Sequence, residues 1–143
     1  MTAKEYLNQI RSFELAISRK RDEISRLYDD ILSASGIDYS KPRVDSSPSG
    51  DAAFERTIAE IGDRETEVHA MVEQMTAARI RITRQIDGMD DEIYRMILER
   101  HYVNKIPLQD IADEVHYSRD AIWHKHLEAL EAFERKYGAE FNK

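Results

Sequence analysis

Between Gln109 and Lys125 the sequence collects side chains suited to contact with a duplex nucleic acid. Arg119 carries a fork that fits guanine O6 and N7, and Asp120 can accept from a cytosine amine or orient Arg119. Trp123 offers a flat apolar surface to a thymine methyl or a protein partner; equally, it can fold back on the preceding helix. His124 and Lys125 are within reach of phosphates, and Gln109 and Ser118 add uncharged contacts to the backbone.

These residues converge only if two helices cross at a tight turn. Ile111, Val115, Tyr117 and Ile122 are apolar, and Ala112 is small where such helices would meet. Ser118 stands at the N-cap position of the second helix. This is the spacing of a helix-turn-helix. The turn position holds His116, which tolerates the left-handed conformation better than most residues. Lys125 stands where an apolar core residue is common. Counting from Ser118 with a 3.6-residue period, Ile122, His126, Ala129 and Phe133 face inward. Arg119, Asp120, Trp123, His124 and Leu127 face outward.

The remainder of the chain must carry this unit. Five Gly, three Pro and the absence of β-branched alternation predict an all-α protein. Residues 1–35 read as one helix, opened by Thr2 and Glu5 at capping-box spacing. Its stripe runs Ala3, Tyr6, Ile10, Phe13, Ile17, Lys20, Ile24, Leu27, Ile31, Ala34. Residues 51–87 repeat the rhythm with Phe54, Ile58, Ile61, Glu65, Val68, Val72, Met75, Arg79, Ile82 and Ile86. Such a sustained 3.5-residue period predicts a long antiparallel coiled-coil hairpin over 1–88, turning through a linker at 36–50. Its expected core is Ile10, Phe13, Ile17, Ile24, Leu27, Ile31, Phe54, Ile58, Ile61, Val68, Val72, Met75 and Ile82, with Lys20 close to Glu65. The same stripes suit an intermolecular bundle. Because two helices bury little, a homo-oligomer is expected in either case.

Residues 89–143 form the second expected domain, with three shorter helices. Asp90, Asp91 and Glu92 open the first, as a cap or as an acidic metal cluster. Gly88 and Gly138 are expected just past helix ends, Pro107 begins a short helix, and only Gly62 falls inside a helical pattern.

Composition narrows the function classes. The chain is 34% charged and 41% hydrophobic, with no apolar run long enough for a bilayer, so no membrane partner is expected. Met1–Glu5 lacks a signal pattern, which predicts a cytoplasmic location. Without Cys there is no thiolate nucleophile or disulfide scaffold. No phosphate loop or nucleophile–base pair is apparent, so an enzyme is not expected and no cofactor is implied. Net charge is −7, and residues 89–136 hold seven basic against eleven acidic groups, a local −4. A broad basic coat is excluded, and a single copy should bind DNA poorly. The one basic concentration nearby is Arg79, Arg81 and Arg84, either an extension of a DNA surface or a solvated helix face.

From Ile97 to Leu130 the run resembles the DNA-binding C-terminal region of bacterial sigma factors. The chain as a whole resembles the ArpU-type or RinA-like transcriptional regulators of Gram-positive phages. The matching segments are Ser46–Asp51, Arg100–Val103, Tyr117–Arg119, His126 and Ala129-Leu130. The resemblance implies a sequence-specific regulator of phage late genes in a bacterial cytoplasm. It implies double-stranded DNA as partner and raises host RNA polymerase as a second. Two rivals stay open: a DNA-packaging protein like a terminase small subunit, and a coiled-coil interaction protein without DNA binding.

Overall fold

The computed structural model describes residues 1–34 and 48–143. All regular structure among them is helical: α1 (Ala3–Leu7), α2 (Gln9–Ala34), α3 (Pro48–Asp87), α4 (Glu92–Leu98), a π-helical turn (Glu99–Val103), α5 (Leu108–Val115) and α6 (Arg119–Phe141). The all-α expectation is met. No helix among the described residues is long and apolar enough to cross a membrane.

Local chemistry explains most boundaries. Thr2 Oγ1 accepts from the Glu5 N–H at 3.2 Å, and Glu5 accepts from the Thr2 N–H at 2.7 Å. The single helix expected over 1–35 is interrupted at Asn8, a residue that competes poorly for helical backbone. α3 begins at Pro48 rather than 51, since the fixed φ of Pro suits a first helical turn. The expected linker therefore loses its last three residues to α3, and 35–47 lie outside the described residues. Asp91 caps α4, accepting from the N–H groups of Ile93 at 2.8 Å and Tyr94 at 3.1 Å. Gly138, expected beyond a helix end, lies within α6. The roughly 1 kcal/mol that a helical Gly costs is offset because the extra turn stacks Phe141 on Tyr6, with ring centroids 4.5 Å apart. The last of the three expected shorter helices is thus 23 residues long.

The chain divides into two compact units, residues 1–14 with 74–143, and residues 15–73. The expected boundary at 88 does not match this division. Tyr6, Leu7, Ile10, Ile82 and Ile86 share one core with Leu98, Tyr102, Ala129 and Phe133. Their cover comes from α6, so α1, the start of α2 and the end of α3 belong with the C-terminal helices. Ile10 and Ile82, predicted for a coiled-coil seam, are buried in this core instead. Phe13 and Met75, in the same unit, are half-buried.

In the unit 15–73, α2 and α3 pair with opposed directions. Lys20 lies 3.1 Å from Glu67, Arg64 lies 2.6 Å from Glu23, and Tyr28 donates to Glu65 at 3.1 Å. Lys20 was expected near Glu65, but the register gives it Glu67. Ile17, Ile61 and Val68 are buried there. Ile24, Leu27, Ile31 and Val72 are half-buried. Phe54 and Ile58 are 43% and 49% exposed, which corrects their assignment to the core. Two helices supply a single layer of contact, so a regular stripe does not guarantee cover along its whole length.

Candidate nucleic-acid interface

α5 and α6 are set by a small core of Ile97, Ile111, Ala112 and Ile122, with Val115 and Tyr117 packed against it. Between the helices His116 adopts φ 59°, ψ 39°, the left-handed conformation anticipated for it. The Tyr117 N–H returns to the Ala112 carbonyl at 2.9 Å, closing the turn. Ser118 caps α6, its hydroxyl accepting from the Ala121 N–H at 3.1 Å.

The two faces of α6 separate as the periodicity predicts. Ile122, His126, Ala129 and Phe133 are buried. Arg119, Asp120, Trp123, His124 and Leu127 are exposed, Trp123 by 47%. Arg119, Asp120, Trp123 and Gln109 line one groove of about 550 Å³ with Leu108 and Ile122. Four predicted contact residues are thereby brought together. The Trp123 ring lies 5.5 Å from His126 by centroid, so one part of the indole rests on the fold while the rest meets solvent.

Lys125 does not join them. Its ammonium lies 3.2 Å from Glu128 and 6.0 Å from the Tyr94 ring centroid. The Glu128 carboxylate raises the Lys125 pKa, and Glu128 is itself lowered, first by the Tyr94 hydroxyl and then by Lys125. The Glu128 pair within α6 and the Tyr94 ring of α4 account for a Lys at a position where apolar residues are common. Arg79 and Arg81 are likewise engaged in the fold. Arg79 pairs with Glu14 at 3.1 Å, and Arg81 donates to the Tyr6 hydroxyl at 3.0 Å. Arg84 is exposed.

Periodicity places His126 on the inner face but does not reveal its chemistry. The ring is 2% exposed, and Nε2 lies 2.7 Å from the Tyr102 hydroxyl. Nδ1 is buried without a hydrogen-bond partner. Burial, and then the charges of His101 and Lys4, push the His126 pKa down to about 4. Burial pushes Tyr102 up to about 12. In the unfolded chain the ring takes up a proton near pH 6.5, whereas in the fold it stays neutral down to about 4. Its contribution to stability is complete above pH 6.5 and declines as pH falls through the window to about 4. The full loss is on the order of 2–3 kcal/mol. Urea midpoints measured from pH 6.5 to 5 should fall in the native chain and stay flatter in His126→Phe. Equal slopes in the two proteins would contradict this assignment.

The sequence reading missed a second concavity beside the first. Asn8, Arg11, His101 and Lys105 line it, and Leu108 and Trp123 are shared with the Arg119 groove. No protein-family model matches this chain, and no curated protein or solved structure is significantly similar to it.

Proposed function

We propose that the chain is a sequence-specific DNA-binding transcriptional regulator in which α5 and α6 act as a helix-turn-helix. The supporting observation is the start of α6, where Arg119, Asp120 and Trp123 stand exposed in one groove above a buried Ile122–His126–Ala129 face. Residues near the N-terminus of a recognition helix are those that meet base edges in the major groove. The likeness to ArpU-type and RinA-like phage regulators supports the narrower reading, a phage late-gene regulator acting in a bacterial cytoplasm.

The acidic balance makes one copy a weak binder, so affinity comes from two copies on paired half-sites or from host RNA polymerase. Residues 15–73, as an antiparallel coiled coil, supply the self-association. The half-exposed Phe54 and Ile58 support this, because a second copy would cover them. The net charge of −7 favours one alternative, an interaction protein without DNA binding.

Selection of bound duplexes from a random pool, followed by footprinting, tests the reading. A protected site should emerge, and Arg119→Ala should cost about 1–3 kcal/mol there, roughly 5- to 150-fold in affinity. Absence of any protection by the oligomer at low salt would refute it. If Arg119→Ala and Trp123→Ala weaken a protein partner while no DNA shift exists, the interaction reading replaces it.

A further inference from the structure

We propose that the cleft beside the Arg119 groove is a clamp for the phosphate backbone of duplex DNA, with Arg11 and Lys105 as its phosphate-contacting cations. The inference rests on α6 acting as the recognition helix and extends the DNA surface to the amino-terminal segment. Arg11, Lys105, Asn8 and His101 line the cleft, which measures about 450 Å³. In a chain of net charge −7, no carboxylate lines it among the described residues.

Arg11 supplies the unpaired positive charge of the cleft. Arg11 is exposed and makes no ion pair among the described residues. Lys105 lies 2.5 Å from Glu14, which also holds Arg79 at 3.1 Å, so a phosphate at Lys105 competes with a carboxylate already shared between two cations. Lys105 has φ 58°, a left-handed conformation that L side chains rarely adopt. The conformation lies in the turn that brings the Ile106 carbonyl to His101 Nδ1 at 2.9 Å, and Lys105 lines the cleft from that turn. Unfavoured backbone of this kind persists where the surroundings enforce it, commonly at binding sites.

Position identifies the occupant. Leu108 and Trp123 belong to both concavities, so the surface runs unbroken from Arg119 to Arg11. With the recognition helix in the major groove, the helix before it crosses the backbone. The loop leading into α5 and the neighbouring turn of α2 then lie along the same phosphate strand. Such contacts fix register and add affinity without reading sequence.

Salt titration of the full chain on a fluorescent mixed-sequence duplex of about three helical turns tests the clamp. Arg11→Gln and Lys105→Gly are compared with the native chain and with Arg119→Ala. Gly is chosen at 105 because it adopts the positive φ freely, which keeps the turn folded. Each clamp variant should weaken binding severalfold and lower the slope of log affinity against log salt by about one. On a selected site, both should leave the order of preferred bases intact, whereas Arg119→Ala should alter it. If the native chain binds the duplex and both clamp variants keep its slope, the clamp is wrong and the recognition-helix reading stands. If the native chain binds no duplex at low salt, both fall together.

Discussion

Residues 89–143 produced alone will show no cooperative unfolding transition, whereas the full chain will. A boundary drawn from the heptad pattern makes this fragment a complete domain. In the structure it lacks Tyr6, Leu7, Ile10, Ile82 and Ile86, all at most 5% exposed and all in the core that contains Phe133. Burying each such side chain contributes about 1.5–3 kcal/mol. Together they are worth as much as the whole net stability of an ordinary domain, about 5–15 kcal/mol. The fragment should retain some helix in α6 but expose the face carrying Ala129 and Phe133. Far-ultraviolet circular dichroism against temperature or urea distinguishes the cases, and a steep transition in the fragment comparable to the full chain would contradict the shared core. DNA assays on this fragment would then fail for want of folding, whatever its surface can do.

Phe133→Ala in the full chain should cost about 3–5 kcal/mol, seen as a lowered urea midpoint with an unchanged slope. Phe133 is fully buried, with ring centroids 5.0 Å from Tyr137, 6.0 Å from Tyr6 and 6.2 Å from Phe141. Removing it opens a cavity at the junction of three aromatic rings contributed by both termini. Phe133→Leu, which retains most of the volume, should cost less than about 1.5 kcal/mol. Phe54→Ala, at a stripe position of α3 that is 43% exposed in the single chain, should change midpoint stability by less than about 0.5 kcal/mol at protein concentrations too low for self-association. Similar losses in the two alanine variants at higher concentration would mean that Phe54 is covered in solution by another copy of the chain. A loss below about 1 kcal/mol at Phe133 would mean that the aromatic junction does not hold the core.

Where position depends on near neighbours, the sequence is a good guide. The Thr2–Glu5 box, the Asp91 cap, His116 in the turn, Ser118 at the start of α6 and the inward set Ile122–Phe133 all follow from spacings of a few residues. The gathering of Gln109, Arg119, Asp120 and Trp123 in one groove follows from the same local logic. What distant partners decide is not legible. The stripe from Ala3 to Ile31 is continuous, so nothing marks the point after Glu14 where it passes from one compact unit to the other. Gly138 reads as a stop because the aromatic partner that extends α6, Tyr6, lies at the opposite end of the chain. Lys125 reads as an anomaly until Tyr94 and Glu128 are seen beside it. The Arg11 cleft has no signal in sequence at all, since its walls come from segments about 90 residues apart.

The core shared by the first turns and the last helix has a consequence for biosynthesis. Tyr6, Leu7 and Ile10 leave the ribosome some 120 residues ahead of Phe133. At about 5–20 residues per second this leaves an apolar segment uncovered for roughly 6–25 seconds. The pairing of α2 with α3 needs no help from α6 and can form during that interval. The nascent chain therefore holds an uncovered apolar segment until Phe133 has been made, a ready target for a holding chaperone.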